Sequence, residues 1–249
     1  MEYKSLVSII MPSYNSTETI SDSIESVLAQ TYQNWELLIT DDVSVDDTKD
    51  IVRRYCEKDK RIKLFELDTN SGAGASRNNS IGNSSGDYIA FLDSDDIWLP
   101  NKLLLQIEFM EKNNILLSYS AYQKFSALGD GGIVMPPNSV SYSELLTGNV
   151  IGCLTAIYNA KILGKRYMPL IRKRQDMGLW LSILKDVDKA ICIPKVLAKY
   201  RVDTGMTQNK FNILKWQWAF YREVIGLSFI KSAKCFILYA FKGFIKSRI

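Results

Sequence analysis

Four short apolar runs, at 6–11, 35–39, 61–67 and 88–92, punctuate the first hundred residues, and stretches of helical period lie between them. Ile20, Ile24, Val27 and Leu28 recur at i, i+4, i+7 and i+8, which lines one face of a helix capped by Ser16 or Thr17. Ile51, Val52 and Tyr55 repeat the pattern behind a capping Asp46, and 75–83 reads as a shorter third helix. A βαβαβαβ order of this kind closes as a parallel sheet with right-handed crossovers. Such sheets bind ligands beyond the carboxyl ends of their strands.

Carboxylates gather where those ends should be. The run Tyr88, Ile89, Ala90, Phe91, Leu92 stops abruptly in Asp93, Ser94, Asp95 and Asp96, and the second strand ends in Asp41 and Asp42. Like charges this close repel unless a cation sits among them, and a hard divalent ion that bridges to a diphosphate answers that need. The competing reading makes these acids turn and cap residues. Asp96 is the natural cap for a helix expected over 97–112.

Beyond 112 the pattern is mixed: strands at 115–121, 152–158, 190–193 and 197–202, a Gly- and Pro-rich loop or hairpin at 129–137, and a helix at 176–185. The chain of 249 residues suits one sizeable α/β domain over 1–204, with halves 1–112 and 113–204, followed by a tail at 205–249. It contains no histidine, so Ser-His-Asp, Cys-His and HExxH chemistry are excluded and any general base should be Asp or Glu. Cys56, Cys153, Cys192 and Cys235 form no CxxC pair and read as reduced thiols of a cytoplasmic protein. Pro12 ends the first apolar run too early for a secretion signal, and no run approaches the ~20 apolar residues of a spanning helix.

The net charge of +4 is unevenly placed. Residues 211–249 hold seven basic side chains against Glu223 alone, leaving the body with 24 basic and 26 acidic groups. Aromatics (Trp216, Trp218, Phe220, Tyr221, Phe229, Phe236, Tyr239) interleave with the lysines, a composition that fits helices lying on an anionic membrane surface. A helix covering the sheet, or a homodimer contact, is the alternative. An acidic body without a groove-reading module argues against nucleic acid.

Four ordered segments carry a family resemblance. The stretch Val7-Ser8-Ile9-Ile10-Met11-Pro12-Ser13-Tyr14-Asn15 resembles the opening strand and loop of family 2 glycosyltransferases with the GT-A fold. Thr40-Asp41-Asp42-Val43-Ser44-Val45-Asp46-Asp47-Thr48 resembles the family's VDDGSxDxT motif, with Val43 where glycine is usual. Gly72-Ala73-Gly74-Ala75-Ser76-Arg77-Asn78 is similar to its glycine turn and Arg-Asn pair, and Asp93-Ser94-Asp95 matches its DxD. The resemblance implies a mainly parallel, Rossmann-like sheet flanked by helices, with the basic, aromatic helical tail appended.

It also implies roles. Pro12, Ser13 and Tyr14 would meet a uracil ring, Asp41 or Asp42 would accept from its N–H, and Arg77 would face the phosphates, with Gly72 and Gly74 allowing close backbone approach. Asp93 and Ser94 fall near the sugar and ribose, and Asp95 on the Mg²⁺ or Mn²⁺ that holds the diphosphate. Asp176 resembles the family's base, with Gln175 where a second acid is common. Arg172 and Arg174 lie beside the acceptor site, where a diphosphate would suit them, and Trp180 could stack on an acceptor sugar.

The expectation is an inverting, metal-dependent hexosyltransferase. It would use a UDP-sugar, glucose or galactose favoured, and a saccharide acceptor on a lipid diphosphate, at the inner face of a bacterial membrane during O-antigen or other surface polysaccharide synthesis. Rivals are a sugar-phosphate nucleotidyltransferase, which should carry a Gly- and Lys-rich first loop that Pro12-Ser13-Tyr14-Asn15 does not provide, and a non-catalytic nucleotide-sugar binder or membrane scaffold.

Overall fold

The structure, a computed structural model, describes residues 5–203 and 210–246. The expected boundary at 204–205 and the side chains of Phe211, Lys242, Phe244, Lys246 and Arg248 lie outside what is described. In chain order the elements of the first half are β1 (Val7–Ser13), α1 (Ile20–Leu28), β2 (Trp35–Asp41), α2 (Thr48–Lys58), β3 (Ile62–Glu66), α3 (Ala73–Asn83), β4 (Tyr88–Phe91), β5 (Ile97–Trp98) and α4 (Lys102–Asn113). The second half adds β6 (Leu117–Ser126), β7 (Gly129–Val134), β8 (Ser139–Ser141), α5 (Tyr142–Leu146), a 3₁₀ turn (Cys153–Thr155), β9 (Ile157–Asn159), α6 (Ala160–Leu163), α7 (Gln175–Ile183) and β10 (Lys189–Arg201). The tail forms α8 (Lys210–Ala219), a π-turn (Phe220–Val224) and α9 (Phe229–Lys246).

One sheet runs β3-β2-β1-β4-β9-β6-β10-β5, with β7 beside β6 and β8 beside β10. The pairs among β1 to β4 are parallel, as the alternating pattern requires. Beyond β4 the sheet is mixed: β9 runs antiparallel to both β4 and β6, while β10 is parallel to β6. β1 continues through Pro12 rather than stopping there. The Ile10 carbonyl accepts from Leu92 N–H at 3.1 Å, so Pro12, two residues on, turns its missing donor the same way, past the end of the β1–β4 register.

Alternation along β1 divides the core between the two faces of the sheet. Val7, Ile9 and Met11 pack with Ile20, Ile24 and Val27 of α1, whereas Ile10 packs with Phe91, Tyr119 and Trp180. Each fully buried aliphatic side chain here is worth about 1.5–3 kcal/mol against exposure. Phe220 and Tyr221 of the π-turn join the second of these clusters, so this part of the tail covers the sheet.

Three expectations are corrected. Residues 97–112 do not form one helix: Ile97 and Trp98 pair with β10 as a two-residue strand, and α4 begins only at Lys102 after Pro100. Asp96 is therefore not a helix cap; its Oδ1 accepts the Arg201 backbone N–H at 2.9 Å. The two short strands at 190–193 and 197–202 are one strand, β10, kinked by register shifts around Val196.

Candidate active site

The carboxyl ends of β1, β2 and β4 open on a cleft of about 810 Å³ lined by Pro12, Ser13, Tyr14, Asp42, Arg77, Asp93, Ser94 and Asp95. Its floor is fixed by local polar bonds. The Asp41 carboxylate is fully buried and accepts from Ser13 Oγ at 3.1 Å, Ser44 N–H at 2.7 Å and Ser44 Oγ at 2.5 Å, so it folds the turn after β2 and does not line the cleft. Asp42 does line it, and receives the Ser71 and Gly72 N–H groups, each at 2.7 Å, which pins the loop before α3. Gly72 has φ +84°, a conformation open to glycine at little cost. Val43 holds φ +65° in the turn between them, although a β-branched residue is strained there.

Arg77, on α3, is largely buried and forms an ion pair with Asp93 at 2.5 Å. Burial works against its charge, but the neighbouring acids, Asp93 foremost and Asp176 further off, together hold the guanidinium above its ordinary range. Its Nη1 donates to Gln175 Oε1 at 3.3 Å, and its Nε is buried without an acceptor. The close approach at Gly74 turns out to be made by Gln175: a Cβ there would lie 2.8 Å from Gln175 Nε2. Burial, reinforced by the charges of Asp93 and Asp95, raises the Asp96 carboxyl well above the usual range.

A second cleft, of about 680 Å³, shares Arg77 and Asp93 with the first and is lined further by Tyr122, Asn149, Cys153, Tyr200 and the run Arg172, Lys173, Arg174, Gln175, Asp176. Asp176 stands in the first turn of α7. Burial raises its carboxyl; the Met177 N–H, the Arg77 and Arg174 charges and the Asn149 side chain pull the other way. Asn149 Nδ2 donates to Asp176 Oδ2 at 2.7 Å and orients it. No motif marks Asn149, Tyr122 or Tyr200 in the sequence; only the fold brings them to the cleft.

Trp180 does not reach either cleft. It is fully buried under the sheet, edge-on to Phe91 at 5.3 Å and 80°, a pairing worth about 0.5–1.5 kcal/mol beyond area burial. The expected acceptor contact there is corrected to a core role. The aromatic edges that do line the second cleft are Tyr122 and Tyr200, 5.9 Å apart.

Among the described residues no three His, Cys, Asp or Glu side chains are arranged as a ready-made cation site. The donor set at the first cleft still fits Mg²⁺ or Mn²⁺: the oxygens of Asp95 are hard ligands, and such ions commonly take their remaining ligands from substrate phosphates and water. The four cysteines are free thiols, of which Cys192 is buried.

Comparison with known proteins agrees with this geometry. The model of "Glycosyl transferase family 2" matches residues 8–143. The chain is 40% identical over 99% of its length, and 99% of the other's, to a putative teichuronic acid biosynthesis glycosyltransferase, TuaG, of Bacillus subtilis. It is 45% identical over 89% of its length, and 85% of the other's, to the Escherichia coli UDP-Glc:alpha-D-GlcNAc-diphosphoundecaprenol beta-1,3-glucosyltransferase WfgD. Its fold superposes on S. aureus TarS 1-349 in complex with UDP-GlcNAc with TM-score 0.72 at 19% identity, over 94% of this chain and 71% of that one. With two clefts meeting at the strand ends, relatives alike over nearly their whole length and a shared GT-A fold, the chain belongs to glycosyl transferase family 2.

Proposed function

We propose that this chain transfers a hexose from a UDP-sugar to a saccharide carried on a lipid diphosphate, with inversion at the anomeric carbon, during surface polysaccharide assembly. The observation that carries the proposal is the meeting of two clefts at Arg77 and Asp93, one with the DxD acids and the other with Asp176. The relative WfgD, a UDP-Glc:alpha-D-GlcNAc-diphosphoundecaprenol glucosyltransferase by name, makes glucose the favoured sugar.

In this reading the uridine lies along Pro12, Ser13 and Tyr14. Of the two acids at the end of β2, Asp42 takes the uracil N–H, because it lines the cleft and the fully buried Asp41 does not. Arg77 orients the diphosphate, and Asp93 and Ser94 bracket the sugar. Asp95 would hold Mg²⁺ or Mn²⁺, which would supply positive charge against the UDP leaving group. Asp176, oriented by Asn149, takes the proton from the acceptor hydroxyl as that oxygen attacks the anomeric carbon. Its raised pKa makes it a stronger base than a solvated aspartate. Arg172 and Arg174 receive the acceptor's diphosphate.

The same reading seats the chain peripherally on the inner, anionic face of a membrane. No helix among the described residues is long and apolar enough to cross one. α9 instead exposes Ile230, Ile237 and Phe241 beside Lys231 and Lys234, an arrangement suited to the interface. A panel of UDP-hexoses offered with a synthetic GlcNAc-diphosphate lipid and Mn²⁺ tests the proposal. One donor should give a single inverted product. UDP binding with no release or transfer of sugar from any donor would make the chain a non-catalytic binder.

A further inference from the structure

α9 is two-faced. Ser232 is buried, and Cys235 and Phe236 pack against the core beneath the sheet. Ile230, Ile237 and Phe241, spaced i, i+7 and i+11, are 80%, 66% and 62% exposed on another face. From beside the docked residues Tyr239 reaches Arg174, which lines the second cleft: Arg174 Nη2 donates to Tyr239 Oη at 2.5 Å, and the guanidinium lies 5.4 Å from the centre of the Tyr239 ring.

Arg174 is an unusual residue to be held this way. It has φ +68°, a left-handed conformation that costs an L-residue about 1–2 kcal/mol. Its carbonyl accepts the Gly178 N–H at 2.9 Å, the first bond of α7, and Asp176 is two residues further on. A strained backbone persists only where its surroundings over-determine it; the contact with Tyr239 is one of the restraints on this one.

We propose that Tyr239 is a positioning residue that couples the seating of α9 on an anionic bilayer to Arg174, and so to the diphosphate end of the acceptor cleft. The proposal rests on the membrane reading above. A lipid-linked diphosphate lies at headgroup depth, so its protein ligand must be set relative to the bilayer plane as well as to Asp176. One helix meets both requirements here: its exposed apolar residues and lysines set the depth, and Tyr239 carries that setting to Arg174. The hydroxyl uses one guanidinium donor and leaves others for phosphate oxygens.

Steady-state transfer by the full chain tests this with two acceptors bearing the same saccharide diphosphate: a long polyprenyl one in vesicles containing phosphatidylglycerol, and a short-chain one in solution. Tyr239→Ala should raise KM for the vesicle acceptor about tenfold, as expected for loss of a charged hydrogen bond with its cation–π contact. Its kcat should stay within about twofold, and its KM for the soluble acceptor, whose diphosphate meets the same Arg174 but needs no bilayer setting, should rise by no more than about threefold, which also shows that the variant folds. Tyr239→Phe, which keeps the ring under the guanidinium, should recover most of the loss. An equal rise in KM for both acceptors, or no rise for either, overturns the coupling. Co-sedimentation of the unaltered protein with the vesicles separates the two layers: failure to bind rejects the membrane reading itself, whereas normal binding with an unchanged Tyr239→Ala KM rejects only the coupling.

Discussion

Arg77 and Asp93 form a 2.5 Å ion pair at the boundary of the two clefts, so one charge pair lines both. Asp93→Ala removes the counter-charge of a guanidinium that is mostly buried. The expected loss is about 2–4 kcal/mol, at the lower end of what broken buried pairs cost because the Asp93 side chain is 30% exposed. Urea denaturation should show a lower midpoint with unchanged slope, and UDP-sugar affinity should fall with it.

Val43 stands in a left-handed turn where the family motif has glycine. Val43→Gly removes a strain of about 1–2 kcal/mol and returns part of that as unfolded-chain entropy, for a net gain of about 0.5–1 kcal/mol. Calorimetry should record a melting temperature about 1–4 °C higher. A fall would mean that the valine side chain contributes packing that outweighs the strain.

Two glycines separate a yielding neighbour from a rigid one. A Cβ on Gly178 would meet the Pro169 ring at 2.5 Å, whereas one on Gly74 meets the far end of Gln175 at 2.8 Å. Gly178→Ala should destabilise by about 1–3 kcal/mol and slow transfer by displacing the turn that carries Asp176. Gly74→Ala should cost less than about 1 kcal/mol, since Gln175 can swing aside. Equal losses in chemical denaturation would contradict the contrast.

Lys102 is fully buried with no acid beside it among the described residues, and burial lowers its amine to about 7. It donates to Gln106 Oε1 at 2.7 Å and Thr155 O at 3.2 Å. Between about pH 7 and the unfolded-chain value of about 10.4 the unfolded state binds the extra proton, so this group makes stability rise with pH, by up to about 1.4 kcal/mol per unit. Lys102→Met should flatten that rise across the same window, as followed by urea titrations at pH 7, 8 and 9.

As the proposed base, Asp176 should set the pH dependence of transfer. The folded environment, burial first, raises its carboxyl, and a base must be ionised, so kcat/KM should climb as pH rises through that raised value and then level. Asn149→Ala removes a bond that favours the ionised form. The acid limb of the rate profile should then shift to higher pH and the plateau fall by about tenfold.

Much of this was legible in residue patterns. The alternation of Val7, Ile9 and Met11 with Ile10, and the helical repeat from Ile20, specify the parallel half of the sheet because one period serves one buried face. Asp93 to Asp95 and Asp42 were legible as strand-end acids for the same reason. The helix expected over 97–112 failed because Ile97 and Trp98 are apolar at a spacing that suits helix or strand, and pairing with a strand a hundred residues away decided for strand. Trp180 followed the same logic: its aromatic surface fits a sugar or a core, and its depth under Phe91 is set by tertiary packing alone. Asn149 and Tyr239 carry no pattern. Their contacts with Asp176 and Arg174 span 27 and 65 residues, which no local spacing encodes.

The most direct test of Asp176 as the base pairs binding with chemistry in one variant. Asp176→Asn keeps the size and the hydrogen bond to Asn149 but cannot take a proton. UDP-sugar affinity by calorimetry should stay within about threefold, while single-turnover transfer at saturating donor and Mn²⁺ should drop by about 10²–10⁴. Transfer within about threefold of the unaltered protein would contradict the assignment and move the base elsewhere.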